Sequence, residues 1–284
     1  MIDLVATLAR RPVVLDGGLG TLLEARGNDV TSALWSARVL RDDPGEVRAA
    51  HGVFAEAGAE VVITASYQLG FGGEIPDADI DALLTRSVSL AREAADVVVA
   101  ASVGPIGALR ADGSEYTGDY GLTVEQLRDL HRRRLHVLAQ AGADLLAVET
   151  IPSPLEVEAL ALELADLGTP AFVSLSADST GFAAPGSLAD ALRTAASVSH
   201  VVAVGVNCCS PDSVASALAG GPGIPLVAYP NTGERWDAAT RTWHGAAVPL
   251  AEVAPAWVDA GARLVGGCCR STPADIAAIA AALR

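Results

Sequence analysis

The chain has 284 residues, 51% of them hydrophobic and 19% charged, enough apolar surface for a large core and too little charge for a disordered chain. A net charge of −15 argues against a nucleic-acid partner, which would want a basic face, and no apolar run approaches the ~20 residues of a membrane helix. All 19 basic residues are Arg, and the stretch Met1 to Arg11 is too short and too interrupted by charge for a secretory signal, so the thiols are expected in a reducing cytoplasm.

In chain order, short apolar runs alternate with Ala/Leu-rich amphipathic stretches at helical spacing. The strands are expected at Val13–Asp16, Val61–Thr64, Val97–Ser102, Leu145–Glu149, Ala171–Ser174, Val201–Val206, Leu226–Tyr229 and Leu264–Gly266. The helices between them are expected at Pro44–Ala57, Ile80–Ala95, Thr123–Ala141, Pro154–Leu167, Leu188–Ser197, Pro211–Leu218, Leu250–Asp259 and Pro273–Leu283. The continuous apolar strands read as a parallel sheet covered on both faces. Gly58, Gly142 and Gly261 each stand between a helix and a strand, where a left-handed residue ends the helix. Thr123 with Gln126, Ser210 before Pro211 and Thr272 before Pro273 are N-terminal capping signals. Eight β/α repeats without a Pro/Ser/Gly linker predict one domain, residues 1–284, folded as an α/β single (β/α)8 TIM barrel. An open doubly wound sheet is the alternative, but Asp16-Gly17-Gly18-Leu19-Gly20 is only a superficial dinucleotide-binding match.

In a barrel, chemistry sits at the C-terminal ends of the strands, and here the polar residues fall there: Asp16, Thr64, Ser66, Glu149, Asn207, Tyr229 and Asn231. So do all four cysteines, as two adjacent pairs, Cys208-Cys209 and Cys268-Cys269. Neighbouring cysteines make poor disulfides, and their spacing is not that of a structural zinc finger. Three thiolates drawn from two strand ends would hold Zn2+ and leave a position open, as a catalytic site requires. Successive strand residues point to opposite sides, so one of Cys208 and Cys209 is expected as a ligand, and the spacing does not choose between them. Cys268 and Cys269 both bind only if the strand has frayed, which Gly266-Gly267 permits.

These residues carry a resemblance. Asp16-Gly17-Gly18, Ile63-Thr64-Ala65-Ser66-Tyr67-Gln68, Glu149-Thr150, Gly205-Val206-Asn207-Cys208 and Gly266-Gly267-Cys268-Cys269-Arg270 resemble the zinc-dependent homocysteine S-methyltransferases over nearly the whole chain. Leu34-Trp35-Ser36-Ala37, Ser102-Val103-Gly104-Pro105, Asp112-Gly113-Ser114-Glu115-Tyr116, Gly118-Asp119-Tyr120 and Tyr229-Pro230-Asn231-Thr232-Gly233-Glu234 look like the short subgroup that uses S-methylmethionine, and often S-adenosylmethionine, as methyl donor. The resemblance implies methyl transfer from a sulfonium to the thiolate of homocysteine, forming methionine, with Zn2+ on Cys208, Cys268 and Cys269 and with Cys209 spare. It implies substrate contacts at Asp16, Gly17, Gly18, Thr64, Glu149, Asn207, Tyr229 and Asn231, with Glu149 holding the homocysteine amino group. Gly18 and Gly20 stand where close relatives often carry Ala, and Thr232 where Ser is common.

A carboxylate in a barrel mouth is costly alone, so Glu149 is expected beside a cation. Asp16 either contacts substrate or only sets its turn. Trp35, Tyr67, Tyr116, Tyr229 and Trp236 are aromatic candidates near the donor sulfonium, and Asn207 is expected to orient the metal loop. His51, His131 and His136 read as helix-face residues, His200 lies at the opposite end of the barrel, and His244 alone falls near the site. A zinc-dependent barrel lyase or hydrolase would want a His-rich ligand set or a Schiff-base Lys, and the chain has no Lys. A redox or metal-handling protein would want C-x-x-C, also missing. Partners are expected to be small molecules, with no nucleic acid or membrane.

Overall fold

The computed structural model describes residues 2–30, 35–73, 75–110, 113–176, 186–237 and 242–284. Its elements run α1 (Leu4–Leu8), β1 (Val13–Val14), α2 (Leu19–Ala25), α3 (Trp35–Asp42), α4 (Pro44–Glu56), β2 (Val61–Ile63), α5 (Asp77–Ala94), β3 (Val98–Val103), α6 (Ile106–Arg110), α7 (Ser114–Thr117), α8 (Val124–Gln140) and β4 (Leu145–Ile151). They continue as α9 (Pro154–Leu167), β5 (Ala171–Leu175), α10 (Leu188–Ala196), β6 (Val201–Asn207), α11 (Pro211–Leu218), β7 (Leu226–Tyr229), β8 (Arg235–Asp237), β9 (Thr242–His244), α12 (Leu250–Asp259), β10 (Ala262–Val265) and α13 (Pro273–Ala282).

Eight strands form one sheet in the order β1-β10-β7-β6-β5-β4-β3-β2, and every pairing in it is parallel. A parallel bridge from Leu15 to Val61 joins the two ends, so the expected (β/α)8 barrel closes. A crossover helix follows each barrel strand, as the sequence rhythm predicts. The antiparallel pair β8–β9 and the short helices α1, α2, α3, α6 and α7 are additions that the rhythm does not reveal.

Two apolar populations separate along each strand. Val14, Val62, Val99, Leu146, Val173, Val204, Ala228 and Val265 face the helices. Their alternates Val13, Val61, Val98, Ala100, Leu145, Ala147, Phe172, Ala203, Val227 and Leu264 fill the barrel, with Leu8 of α1 joining them. One more step of two along the inward face reaches Ser102, Glu149, Ser174 and Tyr229, and on β6 two steps reach Asn207, all buried. The barrel interior thus turns from apolar to polar toward its C-terminal end. That polar layer is the floor of the site.

The helix ends follow the expected chemistry with one exception. Gly58, Gly142 and Gly261 have φ of 106°, 89° and 106°, the left-handed region where a Cβ is disfavoured. Thr123 with Gln126 and Thr272 with Asp275 form reciprocal capping boxes. Ser210 makes no side-chain cap, and Pro211 alone marks that helix start.

Candidate active site

The cysteines are placed by two different turns. β6 ends at Asn207, and Cys208 then takes a left-handed backbone, φ 50°, rare for a residue with a Cβ. The turn brings the Cys208 side chain into the barrel mouth and drops Cys209 into the core under the helices. There burial pushes the Cys209 thiol up to about 12. After β10 the chain loses its sheet pairing at Gly266-Gly267, and a Cβ on Gly267 would collide with the Ser271 side chain. The Cys268 amide donates to the Pro230 carbonyl at 2.8 Å, the Cys269 amide to Asn231 Oδ1 at 3.1 Å, and Ser271 Oγ to the Cys268 carbonyl at 2.6 Å. Arg270 is left-handed at φ 71°, its amide bound to Thr21 Oγ1 at 2.9 Å and its guanidinium 3.2 Å from Glu234. With that loop fixed from three sides, Cys268 and Cys269 both face the mouth.

The sulfurs of Cys208, Cys268 and Cys269 lie within 4.8 Å of one another, with Cys208 and Cys269 3.9 Å apart. Tetrahedral thiolate ligation at about 2.3 Å from zinc sets sulfurs about 3.8 Å apart, so these residues fit that ion. Hydrogen bonding from Cys268 and Cys269 holds the Cys208 thiol well below its usual range. The same contacts hold those two thiols up.

Glu149 stands beside this cluster on the inward face of β4. Its carboxylate accepts from the Ser102 hydroxyl and, at 3.1 Å, from the Tyr229 hydroxyl, which lies 2.6 Å from Ser174 Oγ. The expected cationic partner is not there: both donors are neutral, and among the described residues no Arg or His lines the pocket. Burial therefore pushes the Glu149 carboxyl up to about 7, against the two hydroxyl bonds and with the negative charge at Cys208 adding to the rise. Asp16, equally buried, accepts from the Ile63 amide at 2.8 Å, while its carbonyl accepts from Gly267 at 3.2 Å. It sets the turn and still lines the pocket. Burial raises its carboxyl well above the usual range.

The pocket opens to solvent at the barrel mouth. Asp16, Gly17, Gly18, Thr64, Glu149, Tyr229, Cys208, Cys268 and Cys269 line it, as the sequence predicts. Asn207 and Asn231 do not. Asn207 is buried behind the wall, its amide oxygen accepting from Thr150 N and its amide nitrogen donating to Thr150 Oγ1, both at 2.8 Å. This pair holds Thr150 in a left-handed conformation, φ 61°, directly after Glu149. Asn231 holds the Cys269 amide. Asn207 orients the site from behind the wall, while the Asn231 side chain ties the Cys269 amide and the Cys208 thiol together. A Cβ on Gly18 would lie 2.6 Å from the Cys268 carbonyl, so the glycine lets the loop after β1 close onto the cysteine turn.

Sequence reasoning passed over Ser36, Gln68, Thr150 and Glu115, which also line the pocket. Glu115 adjoins Tyr116 on α7 inside one of the resembling stretches, the only signal that could have found it. Tyr67 and Tyr116 line the pocket as expected; Leu34, Asp112 and the side chains of Trp35 and Trp236 lie outside the described residues. His51 on α4 and His131 on α8 lie away from the pocket, as expected, on helix faces that are fully buried. His131 lies between Glu156, at 2.8 Å, and Arg134, part of the packing between α8 and α9. His244, on the hairpin, is exposed and does not line the pocket.

Comparison with known proteins agrees with this geometry. Residues 13–283 match the family model described as homocysteine S-methyltransferase. The homocysteine S-methyltransferase of Escherichia coli K12 is 44% identical, with 95% of this chain and 94% of the relative aligned. A selenocysteine Se-methyltransferase of Brassica oleracea var. italica is 39% identical over 94% of this chain and 87% of its own length. Among solved structures, the metallated form of the E. coli homocysteine methyltransferase MmuM superposes with a TM-score of 0.86 at 41% identity, covering 97% of this chain and 98% of that one. The three-thiol cluster, the barrel and these likenesses agree, and the chain belongs to the zinc-dependent homocysteine S-methyltransferase family.

Proposed function

We propose that residues 1–284 act as one catalytic domain in which Cys208, Cys268 and Cys269 hold Zn2+ and the pocket binds homocysteine beside a sulfonium donor, S-methylmethionine or S-adenosylmethionine. The observation that carries this reading is a three-thiol cluster beside a buried carboxylate in a pocket lined by no basic side chain among the described residues. Coordination to zinc supplies one thing, an acceptor thiol that is a thiolate at neutral pH instead of near its free pKa of about 8.5.

The chain's own residues do the rest. Glu149 takes the homocysteine ammonium, which provides the cation that no protein side chain supplies and pulls the carboxyl to its charged form on binding. Ser102 and Tyr229 fix the carboxylate in place, and Tyr229 is itself held by Ser174. Asp16, Gly17 and Gly18 form the opposite wall against the Cys268 turn. Orientation of acceptor sulfur and donor methyl in line contributes much of the rate. In the transfer the donor S–CH3 bond breaks with its electron pair staying on the donor sulfur, which becomes a neutral thioether. The acceptor thiolate forms the new S–CH3 bond and becomes the thioether of methionine, with no proton moved in the step.

The pocket's acidity favours cationic small molecules, and nucleic acid has no place in the reading. A reducing compartment such as the cytoplasm suits the thiols. No helix among the described residues is long and apolar enough to cross a membrane. The test is methionine formation by purified enzyme from homocysteine with each sulfonium, with and without a zinc chelator. Chelator-sensitive methionine formation is expected; no methionine from either donor refutes the reading.

A further inference from the structure

We propose that α7 reads the methyl donor, with the Tyr116 ring flanking the sulfonium and the Glu115 carboxylate taking the donor's ammonium. The proposal rests on the methyl-transfer reading above and assigns its donor side. In a productive complex the donor methyl lies about 3–3.5 Å from the acceptor sulfur, so the sulfonium centre must sit within a few ångströms of the thiol cluster. Tyr116 reaches that position: its hydroxyl stands 3.9 Å from Cys208 Sγ, while 49% of the residue remains exposed at the mouth. A cation within about 6 Å of a tyrosine ring centroid is attracted to its face.

Among the described residues, the other aromatics that line the pocket, Tyr229 and Tyr67, are committed elsewhere. Tyr229 is buried and donates to Glu149. Tyr67 is hydrogen-bonded to Thr150, and its ring packs so closely on Gly104 that a Cβ there would lie 2.7 Å from it. Glu149 and Asp16 lie at the inner end of the pocket, with the polar layer of the barrel. Glu115, on α7, is the third carboxylate of the lining among the described residues. Two amino acids must be bound together, and each brings an ammonium. The division that follows is Glu149 for the acceptor and Glu115 for the donor.

The element carrying both residues is held firmly. Gly113 and Gly118, at φ 85° and 65°, bracket α7 with left-handed turns. A Cβ on Gly107 would collide with the Glu115 backbone, and one on Gly118 would lie 2.7 Å from Ser153 Cβ, so α7 is seated against α6 and the exit of β4. At the root of the segment, buried Arg134 donates to the Gly104 carbonyl, and the Ile106 amide donates to Glu156 at 2.7 Å. A clamped four-residue helix with adjacent acidic and aromatic side chains on the pocket is a selector for cationic amino acids bearing a sulfonium.

The test uses the full-length, zinc-loaded enzyme with S-methylmethionine as donor and trimethylsulfonium, which has the sulfonium but no ammonium, as competitor. Tyr116→Leu should raise both the KM for S-methylmethionine and the inhibition constant of trimethylsulfonium by about 3–30-fold, and Tyr116→Phe should retain most of the affinity. Glu115→Gln should raise the S-methylmethionine KM by about 10–100-fold while the trimethylsulfonium constant moves little. In all three variants the homocysteine KM, zinc content and melting temperature should stay near wild type. Wild-type enzyme that makes methionine but does not bind trimethylsulfonium overturns the proposal and leaves the parent reading standing. So do variants whose donor constants stay within about twofold of wild type, or whose homocysteine KM rises as much as their donor KM. Wild-type enzyme that makes no methionine from either sulfonium overturns both.

Discussion

The two vicinal cysteine pairs are alike in sequence and unlike in structure, and the difference lies in one backbone torsion. After β6 the left-handed residue is the first cysteine, Cys208, so the chain reverses there and Cys209 falls behind the wall. After β10 the left-handed residue is Arg270, one position beyond the pair, so both cysteines precede the reversal and both line the pocket. The first turn is held mainly through its backbone, the Cys208 amide on the Tyr229 carbonyl at 3.3 Å and the Asn231 amide on the Cys209 carbonyl at 2.9 Å. The second is pinned by side chains as well, Asn231 and Glu234 of the segment after β7, Thr21 of α2 and Ser271 of its own loop. Where a strand end reverses decides how many ligands it gives. The loop that gives two is the one with more side-chain braces on its backbone.

The comparison breaks most sharply at the braced turn. Cys268→Ser and Cys269→Ser should each lower zinc affinity by more than the roughly 100-fold that loss of an outer-shell partner costs, with methionine formation lost in parallel. Equilibrium zinc competition checks this, and a variant that keeps wild-type affinity would remove that thiol from the site.

Next in size is Glu149, beside the cluster. Glu149→Gln removes a charged hydrogen bond to the substrate ammonium and should raise the homocysteine KM by about 10–100-fold. In the wild type the raised carboxyl, about 7 against 4.5, means that the native state binds the extra proton between those values. Its contribution to stability is therefore full below 4.5 and is lost as pH rises through about 7. Glu149→Gln should then gain stability over wild type at pH 8, on the order of 3 kcal/mol, with little difference at pH 4.5. Homocysteine kcat/KM in the wild type should fall as pH drops below 7, and that fall should vanish in the variant. Denaturant melts and pH–rate profiles read both, and a variant less stable than wild type at pH 8 would contradict the buried-charge account.

A smaller effect separates the turns by their bracing. Asn231→Ala removes the acceptor for the Cys269 amide and should weaken zinc binding about 10–100-fold without removing a ligand. Asn231→Asp, which keeps the acceptor, should restore most of it. No change in Asn231→Ala would mean that the brace is dispensable.

Much of the barrel is legible because its signals are local: short apolar runs, Ala/Leu helices between them, and glycines such as Gly58, Gly142 and Gly261 at the helix ends. The position of the polar layer is legible too, since Glu149 and Tyr229 fall where strands end. The partners of Glu149 are not, because Ser102 and Tyr229 come from other strands and only closure of the barrel brings them together. For the same reason the expectation of a cation beside Glu149 fails: two hydroxyls and a raised pKa replace the charge. Asn207 sits at a strand end but turns behind the pocket, and Asn231 spends its side chain on the cysteines, which depends on the torsions of Thr150 and of the cysteine turn. The lip helix α7 is too short for periodicity to register, so Glu115 is visible only as the neighbour of Tyr116. His51 and His131 show that a histidine on an amphipathic stretch can face inward when neighbouring helices cover it.

The most direct test of the account is zinc content in Cys208→Ser and Cys209→Ser, purified in parallel under reducing conditions and measured by elemental analysis beside methionine formation. Cys209→Ser should keep one zinc per chain and its activity, at a stability loss of about 1–2 kcal/mol for placing a hydroxyl in the core. Cys208→Ser should lose both metal and activity while remaining folded. Equal loss in the two variants, or full zinc in Cys208→Ser, would contradict the assignment that the left-handed turn at Cys208 makes.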